Sequence, residues 1–267
     1  MFTLSSPRAD ARPQCVGMVH LLPLPGGPHE SPGLPAVRER ALLDASRLAA
    51  GGVDAILIEN LGDAPFAADD VEAFTIAAMT DIVGAIRHAL PDMPLGVNVL
   101  RNDGSAAMAI ATATGAAFIR VNVWVGTMAT DQGLITGKAR EILMQRQRLN
   151  SSVEILADVH VKHAVPIGPA SLVDSAKDTF LRGRANGLIL TGTGTGTPTD
   201  PSEIETIRQA LPQAPLWVGS GVTPETLPFN VEGVIVGTWL HEESDLRRPI
   251  DPSRVSQLVS RLNRSSP

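Results

Sequence analysis

The densest group of ionisable side chains is Asp158-Val159-His160-Val161-Lys162-His163. Asp158, His160 and Lys162 stand two apart, and on an extended backbone such residues project from one face. A carboxylate, an imidazole and an amine converging on one pocket can move protons, and a desolvated lysine can also form a Schiff base with a carbonyl substrate. The same residues allow a plainer reading, with Asp158 paired structurally and Lys162 and His163 in a solvated loop. Glu59, in Ile58-Glu59-Asn60, and His20, in Val19-His20-Leu21, each end a run of apolar residues. A buried carboxylate is costly without a partner, so Glu59 is expected to meet a cation, a substrate hydroxyl or a hydrogen-bond donor. His20 is either a proton-transfer group or a satisfied polar side chain. Asp158, His160, Lys162, Glu59 and His20 form the catalytic candidate set.

Around them lie groups suited to binding. Asn98 and the alternating Arg120 and Asn122 supply donors for an anionic substrate, although Arg120 equally suits an ion pair with an interior acid such as Glu59 or Asp158. Val218-Gly219-Ser220-Gly221-Val222-Thr223-Pro224 and Val236-Gly237-Thr238 each place glycines and a hydroxyl after an apolar run. Glycines let backbone N–H groups approach anionic oxygens, so Gly219, Ser220, Gly221, Gly237 and Thr238 are expected to hold a phosphate, with Thr223 as a helix N-cap before Pro224. The Thr191–Thr197 loop, through Thr193 and Gly194, adds donors to that site or acts as a lid. It has no Walker lysine, and no H-E-x-x-H, G-x-S-x-G or paired Cys/His spacing occurs anywhere. No cofactor is predicted. A divalent metal, Mg²⁺ or Zn²⁺, stays open, because barrel ligands come from distant strands.

The elements that must position these groups are short apolar runs alternating with helical periodicity. Val16–His20, Ala55–Glu59, Leu95–Val99, Phe118–Val121, Ile155–Val159, Gly187–Leu190, Leu216–Val218 and Gly233–Val236 read as strands. Helical spacing marks the segments 37–50, 71–90, 105–114, 136–149, 169–182, 202–211 and 253–262. Eight strands alternating with seven helical segments in 267 residues predict an α/β fold, a single (β/α)8 TIM barrel spanning residues 1–267 as one domain. A doubly wound sheet would share the alternation, but no G-x-G-x-x-G turn follows the first strand. In a barrel the candidates above all fall at the C-terminal ends of strands, and the glycine turns follow strands seven and eight, where such folds bind phosphate.

Composition narrows the partners. A net charge of −6 without a dense Lys/Arg cluster makes nucleic acid a poor partner. The lone Cys15 rules out an internal disulfide and fits a reducing compartment. No apolar run approaches the roughly 18 residues of a membrane span, and the first residues lack a signal-peptide core, so a cytoplasmic location is expected. The expected ligand is a small phosphorylated or anionic metabolite; peripheral membrane association and homo-oligomerisation stay open.

Several long segments resemble those of the BtpA/SgcQ family. They are Val16-Gly17-Met18-Val19-His20-Leu21-Leu22-Pro23-Leu24-Pro25-Gly26, Glu59-Asn60-Leu61-Gly62-Asp63-Ala64-Pro65-Phe66 and Gly96-Val97-Asn98-Val99-Leu100-Arg101-Asn102-Asp103, with Phe118–Val123, Thr130–Gly133, Ala157–Ala164 and Val218–Thr223 in the same order. The resemblance implies a ribulose-phosphate-binding-type barrel. The family takes its name from biogenesis or stabilisation of photosystem I, and relatives also occur in organisms without photosynthesis, some near sugar-utilisation functions. It carries over no catalytic residue set. The chain departs at Trp124-Val125-Gly126-Thr127, where a Thr-Gly-Ala-like start is expected. Two functions follow: an enzyme acting on a phosphorylated sugar or similar metabolite by isomerase or lyase chemistry, or a non-catalytic factor for biogenesis of a membrane protein complex.

Overall fold

The computed structural model describes residues 3–4, 12–168, 171–192, 198–228 and 230–264. Its elements run β1 (Gln14–His20), α1 (Leu34–Ala50), β2 (Ala55–Glu59), α2 (Ala73–Ala89), β3 (Leu95–Asn98), α3 (Gly104–Thr114), β4 (Phe118–Val121), β5 (Thr127–Thr130), β6 (Gly133–Thr136), α4 (Ala139–Arg148), β7 (Glu154–Val159), β8 (Ala164–Pro166), α5 (Leu172–Lys177), β9 (Gly187–Leu190), α6 (Pro201–Ala210), β10 (Leu216–Val218), β11 (Gly233–Val236) and α7 (Pro252–Asn263). Strands β1, β2, β3, β4, β7, β9, β10 and β11 close into a parallel barrel in sequence order, the TIM-barrel architecture that the alternation predicts.

Local chemistry sets the helix ends. Asp200-Pro201 and Asp251-Pro252 open α6 and α7, each aspartate accepting the N–H two residues on while the proline takes a position with no N–H to satisfy. Gly115 closes α3 at φ 68°, a left-handed conformation that glycine adopts without strain.

The period of two along each strand decides what the barrel contains. Val16, Met18, Leu57, Phe118, Leu156, Ile189, Trp217 and Ile235 pack together as a floor separate from the core beneath the helices. Two residues further along the same strands come His20, Glu59, Arg120, Asp158, Thr191, Gly219 and Gly237. An apolar plug therefore supports a polar top layer, and pairing keeps the strand ends level: His20 stands beside Glu59, and Glu59 beside Asn98. The floor's two large rings sit against glycines on neighbouring strands. A Cβ on Gly96 would lie 2.4 Å from the Phe118 ring, and one on Gly233 would lie 2.2 Å from Trp217. Gly233→Ala is expected to cost about 1–3 kcal/mol through overpacking, read as a lower midpoint in chemical denaturation.

Two features depart from the sequence reading. Residues 127–136 form the β5–β6 hairpin rather than the approach to a helix, and with β8 they build a three-stranded antiparallel sheet beside the barrel mouth. Its inner residues Met128 and Ile135 cluster with Val123 and Val161, which supplies the burial that a lone hairpin lacks. After β10 no helix follows Thr223 among the described residues. The Thr223 hydroxyl accepts from Glu225 N, and Thr226 donates its hydroxyl to Gly221 O, so the side chains close a tight turn there instead.

Candidate functional site

A cavity of about 460 Å³ opens at the C-terminal mouth of the barrel. His20, Glu59, Arg120, Asn122 and Lys162 line it together with Gly219, Ser220, Gly221, Gly237 and Thr238. Three candidates stand back from its wall. Asp158 lies behind Arg120 and Asn122, and Asn98 lies behind Glu59. His160 turns away, its Nε2 2.8 Å from the Ser175 hydroxyl of α5. The cause is local: His160 sits at φ 52°, so the extended backbone ends at Val159 and the two-residue alternation stops with it. Thr193 and Gly194 lie outside the described residues.

Arg120 and Asp158 form a buried bidentate pair, with Nε 3.0 Å and the terminal nitrogen 2.9 Å from the two carboxylate oxygens. Asn122 donates a third hydrogen bond to Asp158 at 2.9 Å. This is the ion pair that the sequence left open for Arg120, and its fork geometry fixes the guanidinium plane. Two strands round the barrel from Arg120, Glu59 Oε2 accepts from Asn98 at 2.6 Å, leaving Oε1 3.9 Å from His20 Nε2.

Lys162 is held by its backbone rather than by its ammonium. Its carbonyl accepts from Arg101 at 2.8 Å, and its N–H donates to the Thr191 hydroxyl at 3.2 Å. Among the described residues no hydrogen bond or ion pair engages its Nζ. Burial, reinforced by the charge on Arg120 and opposed by Glu59 and Asp158, lowers its pKa from the ordinary lysine value. The loops that frame the mouth are tied in turn. Asn60 accepts from Leu100 N and donates to Asp63, Asp63 accepts from Leu24 N, and Asn102 both donates to and accepts from the Val123 backbone.

The residue that sequence reasoning missed is His241. It is buried, five residues beyond β11, and its Nε2 lies 3.3 Å from His20 Nδ1 while its Nδ1 lies 2.6 Å from the Arg248 carbonyl oxygen. No local spacing signals it, since the contact joins positions 221 residues apart. Burial lowers the pKa of His20, His160 and His241 alike, most strongly at His20, where His241, Lys162 and Arg120 add to the effect. Neutral rings are favoured in the fold, so the unfolded chain binds more protons once the pH falls below the ordinary value of 6.5. Acidification from pH 7.5 to 5.5 is therefore expected to lower the melting temperature, a loss that continues until the depressed folded values are passed.

Residues 12–264 match the model of the BtpA family. The chain belongs to the BtpA family. It is 46% identical over 250 residues to the Photosystem I biogenesis protein BtpA of Synechocystis sp., covering 92% of this chain and 87% of that relative. Among solved structures, the tryptophan synthase alpha chain from Legionella pneumophila aligns with a TM-score of 0.59 at 14% identity, covering 97% of this chain and 94% of that one. The 3-keto-L-gulonate-6-phosphate decarboxylase from Vibrio cholerae aligns at 0.55 and 17%, covering 96% and 100%. At these identities the structural likeness shows the fold.

Within this BtpA-family barrel, no group of three or more His, Cys, Asp or Glu among the described residues is placed to hold a metal ion. No described helix is long and apolar enough to cross a membrane. A wider cleft of about 890 Å³ lies on the barrel flank by α4, lined by Arg140, Arg146, Arg182 and Arg184, but it holds no imidazole or lysine.

Proposed function

We propose that this BtpA-family barrel is an enzyme acting on a phosphorylated sugar or a related small anionic metabolite, by isomerase- or lyase-type chemistry at a carbonyl. One observation carries the reading: a single cavity places two glycine turns, Gly219–Gly221 and Gly237-Thr238, in the same walls as Lys162, Arg120, Glu59 and His20. The turns offer N–H groups and hydroxyls to a phosphate, as the loops after the last two strands do in many such barrels. Lys162 and Arg120 then face the negative charge that develops on a carbonyl oxygen when a neighbouring proton is removed. His20 and Glu59 are better placed to take that proton than Asp158, whose oxygens already accept three hydrogen bonds, or His160, which faces α5. Asp158 acts by fixing Arg120. That one structural neighbour is named as a decarboxylase of a sugar phosphate supports the substrate class by analogy of fold. The buried Cys15, its thiol pushed up to about 12 chiefly by burial, has no part in the chemistry and is compatible with the cytoplasm.

The test is thermal stabilisation by a panel of sugar phosphates, nucleotides, inorganic phosphate and divalent metals. A ligand at about 100 times its Kd stabilises the fold by roughly 2.7 kcal/mol. In a domain of this size that is a rise of about 5–10 °C. A selective rise supports the reading, and no rise across the panel overturns it.

A second reading is a non-catalytic factor for biogenesis or stabilisation of a membrane protein complex. The name of the Synechocystis relative favours it, as does the outer face of the β5–β6–β8 sheet, where Leu134, Val165 and Ile167 are 65%, 66% and 57% exposed. It predicts a specific protein partner in pull-downs, lost when Leu134 and Val165 are changed to serine.

A further inference from the structure

We propose that His241 is the positioning partner of His20, and that the two imidazoles form a proton relay leading from the cavity to the loop at residues 241–250. The inference rests on reading the cavity as a proton-transfer site and deepens it by naming the acceptor atom.

The hydrogen bonds assign both tautomers. The Arg248 carbonyl can only accept, so the ring nitrogen 2.6 Å away, Nδ1 of His241, carries a hydrogen. In a neutral ring Nε2 is then an acceptor, and the nitrogen facing it at 3.3 Å, Nδ1 of His20, must be the donor. The reverse order would set a bare Nδ1 lone pair of His241 against the Arg248 oxygen. With its hydrogen on Nδ1, His20 keeps a lone pair on Nε2, on the side of Glu59 and the cavity. That is the form a general base requires.

The far end of the relay is anchored to the barrel wall. Asp44 of α1 is fully buried; it accepts from Ile250 N at 2.8 Å and from Arg40 Nε at 2.8 Å, which ties the loop carrying His241 to the barrel wall. Burial disfavours a cation on His241, an effect offset in part by the Arg248 carbonyl, Asp44 and Asp245 and reinforced by Arg40. Burial opposes a cation on His20 more strongly, and His241, Lys162 and Arg120 add to that, with the Glu59 carboxylate 3.9 Å from its Nε2. A positive charge is thus better accommodated on His241 than on His20. The step balances as follows: the substrate gives a proton to His20 Nε2 and keeps the electron pair as an enolate, and His20 passes its Nδ1 proton to His241 Nε2. His20 ends neutral, and His241 becomes the imidazolium, its other N–H still on the Arg248 carbonyl. Reprotonation of the product runs the same path backwards. Gly237 belongs to this device, because a Cβ there would lie 2.5 Å from His20 Cε1 and 3.0 Å from Nε2.

Long-range ¹H–¹⁵N correlation spectra of the ¹⁵N-labelled protein report the tautomer of each ring without needing a substrate. The wild type is expected to show hydrogen on Nδ1 of both His20 and His241. His241→Gln offers an amide oxygen near the position of Nε2 and should keep His20 in that form, whereas His241→Leu should release it to a mixture. Gly237→Ala, which leaves His241 in place, should shift the His20 signals. Hydrogen on Nε2 of His20 in the wild type overturns the relay even if the cavity binds a sugar phosphate, so the two ideas fail separately. With a substrate from the stabilisation panel, His241→Gln should lower kcat at least tenfold with KM little changed, because an amide accepts a hydrogen bond but not a proton. An unchanged kcat overturns the transfer step.

Discussion

Replacing Arg120 with methionine is expected to destabilise the protein by about 3–5 kcal/mol, because it leaves the Asp158 carboxylate buried without its countercharge. The pair sits at 4% and 0% side-chain exposure, and only the Asn122 amide would remain to satisfy the carboxylate. Chemical denaturation of the single variants and of Arg120→Met with Asp158→Leu separates the contributions. The double variant should recover most of the loss, since an apolar replacement of both partners removes the stranded charge. A single-variant cost below about 1 kcal/mol would mean that water reaches Asp158, and the account of Asp158 as the fixed support of Arg120 would fall with it.

Lys162→Met should have the opposite profile. The lysine is bound through its backbone while its ammonium faces the cavity, so the substitution should weaken an anionic ligand by roughly 10- to 150-fold, the loss of one charge-assisted hydrogen bond of about 1.5–3 kcal/mol. Stability should not fall. A lysine whose folded pKa is depressed opposes folding while the unfolded chain holds the extra proton, and that opposition fades as the pH rises toward the ordinary value of 10.5. Methionine removes it at neutral pH. Isothermal titration with the ligand found by thermal stabilisation, beside a melting curve of the free variant, reads both effects. Unchanged affinity would remove Lys162 from the binding machinery.

Much of this site is legible in the sequence, for a physical reason. Inward positions recur every two residues on a strand, so once Ala55–Glu59 and Phe118–Val121 are read as strands above an apolar floor, Glu59 and Arg120 must point to the mouth. The same rule misplaces His160, because its left-handed φ breaks the extended chain that the rule assumes. The hairpin at 127–136 escapes notice because its strands are only four residues each, and their burial comes from Val123 and Val161. His241 is invisible for a third reason: its role depends on the closing of the barrel, which brings β11 beside β1. The turn after β10 shows side-chain hydroxyls overriding a Thr-Pro pair that reads locally as the start of a helix.

The chain's three tryptophans and absence of tyrosine give the barrel a simple optical spectrum. Trp124 and Trp217 are sealed, their indole N–H groups donated to the carbonyls of Gly183 and Leu4. Trp239 lines the mouth cavity, with the Arg254 guanidinium 5.5 Å from its ring centre. Two of the three emitters are therefore shielded from the mouth, and the third borders the space that a ligand would fill. Intrinsic fluorescence quenched by a dissolved ion should divide into accessible and inaccessible parts, and filling the cavity should shrink only the accessible one, so the protein carries its own unlabelled gauge of occupancy.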